Sequence, residues 1–394
     1  MEATTRHGRQ SDTPLYAESP PGGQNGRVIQ TDISLEAMLA DLELLVNTES
    51  TSLHLDLLDT SAEAVATVME RRLGSRPQII PSPAGPHVLW SAGGTPRVLL
   101  VGHHDTVFPV GSVAARPFTR DGNKATGPGI FDMKAGIVQA VHGVAALSPE
   151  QRAGVEILIT ADEEVGSNHS RELIERRAIA CGHVLVFEAS ADGGAIKIAR
   201  KGTGTFEVVV HGKAAHAGLE PWNGVNSITA LAELVGQIVT FADPATATTV
   251  TPTVVAGGTA DNVVPAQTRL AVDVRVEQAG EDARLDAAFA GLTTTVPGAT
   301  IEILGGLNRP PMPIGSAGRL FDLAQEAAAS IGIGPLQGVA VGGGSDGNFT
   351  AARGVPTLDG MGAVGGGAHA DHEWIDVEAM RERAALLAAL LPLI

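Results

Sequence analysis

Residues 97–107 read R-V-L-L-V-G-H-H-D-T-V, and the reading of the whole chain turns on them. The aliphatic run 98–101 has the composition of a strand buried on both faces of a parallel sheet. It ends at Gly102 and delivers His103, His104 and Asp105 beyond its carboxyl end. In open α/β sheets ligands bind at that edge, on the loops that follow the strands. An imidazole with a carboxylate two residues on can hold a metal ion while the carboxylate fixes the ring's tautomer. A buried, hydrogen-bonded histidine is the commoner fate of such a residue, so the question is what the other strand ends carry.

Outward from this stretch, strand and helix patterns alternate. Ser34 can cap a helix whose Leu35, Met38, Leu39, Leu42 and Leu45 recur at helical spacing. A second helix is predicted over 61–73, strands over 77–80 and 87–91, a helix over 133–147, a strand over 155–159, a helix over 171–178 and a strand over 183–187. The texture changes near Lys201. Strands at 205–210, 250–255, 268–276 and 300–304, with helices at 225–241 and 281–292, follow a β-α-β-β-α-β order, the pattern of a split βαβ sandwich. After Arg309-Pro310-Pro311 the first texture returns, with a helix near 317–331, a strand at 336–341 and a final helix from 377. The expected fold class is α/β: a discontinuous larger domain, 31–200 and 308–394, interrupted by an inserted α+β domain, 201–307. Residues 1–30, rich in Gly, Pro and charge without periodicity, read as a mobile tail.

A chain of 394 residues exceeds one ordinary core, in keeping with two domains. Its 44% hydrophobic and 3% aromatic content, with 48 Gly, suits a globular Ala/Val/Leu-built protein rich in tight turns. The formal charge of -17, without a basic cluster, argues against nucleic acid or an anionic membrane as partner. An anionic substrate would need local arginines to outweigh that field. The single cysteine, Cys181, excludes an intrachain disulfide and fits a reducing compartment. The N-terminus lacks a charged-then-apolar signal pattern and no apolar run is long enough to span a bilayer, so a cytoplasmic location is expected.

Five expected strand ends or glycine-flanked loops carry polar residues: His103-x-Asp105; Asp132 within G-P-G-I-F-D-M-K (127–134); Glu163 and Glu164 within D-E-E-V-G (162–166); Glu188 after Phe187; and His369 within G-G-G-A-H (365–369). Each has an ordinary alternative: Asp132 can cap the following helix, and an acidic turn can simply be solvated. Adjacent carboxylates after a strand point apart, however, so one can bind a metal while the other faces the water to be activated. Two imidazoles and three metal-binding carboxylates suit paired Zn²⁺-type sites, with two protein ligands per metal and a shared bridge.

With these motifs, together with F-E-A-S (187–190), G-K-A-A-H-A-G (212–218), D-N-V-V-P (261–265) and D-V-R (273–275), the chain resembles a family of di-zinc metallopeptidases. That family groups glutamate carboxypeptidase, succinyl-diaminopimelate desuccinylase, acetylornithine deacetylase, aminoacylase and the aminotripeptidases. The resemblance covers everything after the first ~30 residues; G-G-G-S-D (342–346) and the Phe187-Glu188 pair look nearest to the glutamate carboxypeptidase branch. It implies that His103 and Glu188 hold one zinc, that Glu164 and His369 hold the other, and that Asp132 bridges them, with Co²⁺ or Mn²⁺ able to substitute. Asp105 would orient His103, Glu163 would be the general base, and the peptide after Asp132 would be cis. His216, Asn262, Arg275, Arg309 and the loop residues Gly343, Gly344 and Ser345 match family positions that clasp the substrate's carbonyl and free carboxylate. The larger domain would be catalytic and the inserted one a dimerisation and lid domain, giving a homodimer in which His216 serves the partner's site.

The implied reaction is hydrolysis of an amide next to a free carboxylate, in a small peptide or an N-acyl amino acid. Carboxypeptidase, aminoacylase, deacetylase and dipeptidase activities share that machinery. A rival reading takes Gly343-Gly344-Ser345-Asp346-Gly347 as the elbow of a serine hydrolase, with Asp359 or Asp371 and His369 or His372 as partners. It leaves His103, Asp132, Glu163, Glu164 and Glu188 without a purpose. A non-enzymatic metal-binding scaffold would have no use for Glu163.

Overall fold

A computed structural model of the chain describes residues 33–394; the expected tail, 1–30, lies outside the described residues. A central six-stranded sheet runs Gln78–Ile80, His87–Ser91, Val155–Thr160, Val98–His103, Val184–Val186 and Thr357–Leu358 from edge to edge. The first two pairings are antiparallel and the other three parallel. Every residue of Val98–His103 and Val155–Thr160 is buried, as a strand covered on both faces requires. Val98 and Leu100 face a core built with helices Leu35–Val46, Leu55–Leu73, Ala135–Ala145, Leu320–Ser330 and Val377–Leu390. Leu99 and Val101 face the opposite layer, where Leu173, Ile174 and Ala178 of helix Arg171–Cys181 pack.

Residues 202–309 build a separate antiparallel sheet in the order Thr249–Gly257, Gln267–Val276, Gly202–His211, Thr300–Arg309. Helices Ser227–Ile238 and Glu281–Ala290 cover one face, and Leu234, Ile238, Leu285 and Phe289 close a second core against Phe206, Val208, Val272 and Val274. The last strand runs through Arg309, past the expected boundary at 307, because a bulge between Leu307 and Arg309 keeps Arg309 opposite Thr203.

Three features depart from the sequence reading. Helix Leu55–Leu73 begins six residues before the expected 61, since its N-cap, His54, makes no side-chain cap hydrogen bond that could mark the start. Strand Ile196–Arg200, parallel to Gly338–Val341, escaped prediction because its I-K-I-A-R pattern lacks an apolar run. A small sheet of Gly365–Gly366, Trp374–Asp376, Lys124–Thr126 and Thr119–Asp121 also went unseen, its strands being too short to show a period. This small sheet sets the strand before the Asp132 loop beside the hairpin that carries His369.

Candidate metal centre

His103 is the last residue of the central strand, and Met133 packs against Gly102 before it: a Cβ there would stand 2.5 Å from the Met133 methyl carbon and would require that side chain to move. The buried ring sets Nδ1 3.0 Å from the Asp105 carbonyl oxygen and 3.4 Å from its Oδ1. Nε2 then faces the cluster, 3.2 Å from Asp132 Oδ1 and 3.5 Å from Glu188 Oε1. Asp105, itself fully buried, accepts the Ser52 hydroxyl at 2.8 Å and the backbone N–H groups of Glu163 and Glu164 at 3.2 Å. One carboxylate thus orients the imidazole and fixes the turn that carries both glutamates.

Asp132 follows a left-handed Gly129 (φ 71°), and the Asp132–Met133 peptide is cis. Glu163 and Glu164 open a short turn, Glu163–Val165, just beyond strand Val155–Thr160, and Glu188 lies two residues past Val184–Val186. His369 enters from the opposite side on a loop where its own φ is 63°. Its Nε2 lies 3.3 Å from Asp132 Oδ2 and 3.2 Å from Glu164 Oε2. The two oxygens of Asp132 therefore face different imidazoles, each accompanied by a different glutamate.

That donor set fits a pair of divalent cations. Ligands about 2.0–2.1 Å from a tetrahedral zinc stand about 3.3 Å from one another, the spacing found here. Ligand atoms of His103, Asp132 and Glu164, and of His103, Glu163 and Glu188, also lie within 4.8 Å of one another, so Glu163 stands beside the cluster along with the five residues paired above. Buried Glu164 Oε1 has no hydrogen-bond partner among the described residues.

The electrostatics show how tightly these charges are matched. Burial opposes a charged His103, yet the carboxylates of Asp105, Asp132 and Glu188 raise its pKa well above the usual range. Hydrogen bonds that its ring donates to the carboxylates of Asp132 and Glu164 push His369 up to about 10. Burial would raise the Asp132 carboxyl, but the two imidazoles hold it far below normal. Burial raises Glu163 well above its ordinary value against the pull of Arg309, and it raises Glu164 as well. Cations taken up here would displace the imidazole protons.

Arg309 is almost fully buried, and its Nη2 donates to Glu163 Oε1 at 2.7 Å, to Ser167 Oγ at 2.9 Å and to Asp346 Oδ1 at 3.3 Å. The carboxylates it meets are the chain's own. Arg275 pairs with Asp273 at 2.8 Å and lines a cavity of about 460 Å³ with Thr203, Asn308, Arg309 and Val165, next to the glutamate turn. His216 and Asn262 lie side by side on the inserted unit, where the Asn262 carbonyl accepts from Ala217 N–H. His216 is exposed and its Nδ1 accepts from the N–H groups of Gly218 and Leu219. Its contacts lie within its own unit, away from the imidazole–carboxylate cluster.

The serine-elbow reading is overturned. The Ser345 hydroxyl is buried, donates to Asp359 at 2.5 Å and accepts from Gly347 N–H, and it bonds no imidazole among the described residues. Gly343 and Gly344 offer their carbonyls to Arg200, at 3.0 and 3.3 Å. Arg200, which sequence reasoning missed, binds Asp359 through two hydrogen bonds of 2.7 and 2.9 Å and reaches within 3.9 Å of Glu188. Glu373, also missed, sits beneath Asp132 on the loop that carries His369.

A fold that gathers two imidazoles and several carboxylates at its strand ends, His103 buried and His369 on the exposed side, defines a metal-dependent hydrolase. The chain belongs to peptidase family M20/M25/M40, whose model matches residues 99–392. It is similar to carboxypeptidase G2 of Pseudomonas sp. (strain RS-16), 32% identical over 313 residues that cover 76% of this chain and 74% of that protein. It is also similar to a succinyl-diaminopimelate desuccinylase of Ruegeria pomeroyi, 28% identical over 329 residues covering 77% and 84%. The fold is shared with the M20 family metallo-carboxypeptidase Sso-CP2 of Sulfolobus solfataricus, with a TM-score of 0.73 over 91% of this chain and 99% of that one, at 16% identity. The protein is an enzyme that hydrolyses an amide C–N bond with the help of bound metal.

Proposed function

We propose that the protein is a zinc carboxypeptidase of the carboxypeptidase G2 type, cleaving the amide beside a free carboxylate. One observation carries the reading: His103 and His369 each face one oxygen of Asp132 and a separate glutamate, at 3.2–3.5 Å. In this proposal His103 and Glu188 hold one ion, His369 and Glu164 the other, and Asp132 both. Divalent cations held there would supply Lewis-acid chemistry, lowering the pKa of water and polarising the scissile carbonyl. Asp105 keeps the proton of His103 on Nδ1, leaving Nε2 as the ligand atom.

Glu163 takes the proton of the attacking water and delivers it to the departing amine. Burial already favours its protonated form, which suits the second half of that cycle. Arg309 holds Glu163 Oε1 and leaves the other oxygen for water. Arg275, partly exposed at the cavity and paired with Asp273, binds the substrate carboxylate in this proposal. Segments 31–200 and 308–394 act as the catalytic part and 201–307 as the dimerising, lid-forming part. His216, with Asn262 beside it, completes the oxyanion environment of the partner's site in a homodimer.

N-acyl amino acid hydrolysis is the second reading, favoured by the likeness to the desuccinylase. A panel of dipeptides and N-acyl amino acids, with free or amidated carboxylates, separates the two. It should be run on chelated protein restored with Zn²⁺, Co²⁺ or Mn²⁺. Activity is expected to vanish with the chelator and return with metal, and amidation should cost at least tenfold in kcat/KM. Equal cleavage of amidated substrates would refute carboxylate recognition by Arg275. Turnover undiminished by chelation would refute the metal mechanism.

A further inference from the structure

We propose that Glu373 is a positioning residue: a buried clamp on the backbone that carries Asp132, holding the bridging carboxylate in place before any metal arrives. The proposal rests on the two-metal reading above and deepens it. Glu373 is 1% exposed. Its Oε2 accepts the N–H of Gly129 at 2.9 Å, while Oε1 accepts those of Phe131 and Asp132 at 2.8 and 2.7 Å. Three amides of one tight turn converge on a single side chain, the concave arrangement that successive backbone N–H groups make for an anion. The three bonds favour a carboxylate there, but burial outweighs them and pushes Glu373 up to about 7. Lys134, buried on the same loop with its ammonium on the Thr48 carbonyl, adds a favourable positive charge.

The geometry goes beyond filling space. The 2.7 Å bond is to the N–H of Asp132 itself, so it fixes the peptide plane entering the bridging residue. Gly129 lets the turn close: a Cβ on it would stand 2.5 Å from Thr106 Cγ2. Glu373 also lies four residues after His369, whose Nε2 is 3.3 Å from Asp132 Oδ2. The strand that follows, Trp374–Asp376, pairs with Lys124–Thr126 just before the Asp132 loop, with Trp374 opposite Thr126. One segment therefore grips Asp132 twice, by its backbone through Glu373 and at its carboxylate through His369. The distance between bridge and imidazole is set by that segment and needs no ion to define it.

Hydrogen exchange and metal affinity test this together. In wild-type protein stripped with a chelator, the amides of 129–132 should stay as protected as in protein reloaded with Zn²⁺. In Glu373→Gln one acceptor becomes an NH₂ group aimed at an N–H. Protection of 129–132 should then be lost without metal, and Zn²⁺ affinity, read by competition with a chromophoric chelator, should fall about 10- to 100-fold. The visible absorption of the Co²⁺-loaded variant should differ from wild type, while its melting transition remains cooperative. Glu373→Asp, which keeps a carboxyl group, should recover part of the affinity. Wild-type Zn²⁺ affinity and an unchanged Co²⁺ spectrum in Glu373→Gln would overturn the clamp. So would free exchange of 129–132 in stripped wild type, a measurement that stands even if the variant does not fold. Uptake of fewer than two ions per chain by wild type would overturn the two-metal reading itself, whatever the exchange shows.

Discussion

Glu163 and Glu164 are chemically identical neighbours with different surroundings. Glu164 Oε2 faces His369, whereas Glu163 Oε1 is taken by Arg309, outside the pairings with Asp132. Glu163→Ala should therefore keep the protein's metal content while turnover drops about 10²- to 10⁴-fold, the share a general base contributes. His103→Ala should instead lose bound metal. Elemental analysis beside kcat distinguishes the two, and a Glu163→Ala protein that remains substantially active would sink the assignment of the base. The six residues of the cluster were legible because each follows a buried strand or a glycine turn, where polarity is conspicuous. Glu373, within A-D-H-E-W, and Arg200, at the end of I-K-I-A-R, were not, because polar residues in polar company look solvated. Only the folded backbone shows that Glu373 meets three amides and Arg200 a buried aspartate.

Among the elements, three helices behind the central sheet are tied at one buried carboxylate. Asp41 on Leu35–Val46 accepts from Arg71 at 3.0 Å and Arg72 at 2.6 Å, both on Leu55–Leu73, and lies 2.8 Å from His142 Nε2 on Ala135–Ala145. Burial pushes the Asp41 carboxyl up, but His142 and Arg72 outweigh it and hold it below its ordinary 3.8. Removing one partner of such a buried set costs about 3–5 kcal/mol, so Asp41→Ala should lower the unfolding free energy by that order. The sign of its pH dependence follows from the depressed value. The stabilisation is complete above the unfolded pKa near 3.8 and is lost as pH falls through the lower folded value. Denaturant unfolding of wild type and variant should differ by a constant amount near neutral pH and converge in strong acid. A gap that persists there would mean Asp41 acts through packing alone. Helix periodicity announced Leu35–Val46 and Ala135–Ala145, yet no pattern marks Asp41 as their knot. The pairing spans 101 residues of sequence between Asp41 and His142.

At the scale of the molecule, the chain's net charge of -17 repels an anionic substrate, so recognition must be local, and the groups suited to it are spread over two units. The unit formed by 202–309 has its own core, an edge strand Thr249–Gly257 and the exposed residues Val254 and Val255. A free strand edge beside exposed aliphatics can be covered by its own copy about a twofold axis. The β-α-β-β-α-β order of this unit was readable in the sequence, whereas its placement against the cluster depends on bulges and turns that leave no period. His216 sits on this unit with Nδ1 held by the amides of Gly218 and Leu219, which fixes the ring and orients Nε2 outward. In the proposed dimer that nitrogen serves the partner's cluster. Homodimers of His216→Ala and of Glu163→Ala should then both be nearly inactive. When they are mixed and allowed to exchange subunits, each heterodimer gains one complete site, with Glu163 from one chain and His216 from the other. Random exchange makes about half the dimers mixed, each with one good site of two, so activity should recover to roughly one quarter of wild type. Recovery to that level, with exchange verified by differently tagged subunits, would place His216 across the interface. No recovery despite verified exchange would mean that His216 serves its own chain or nothing at all.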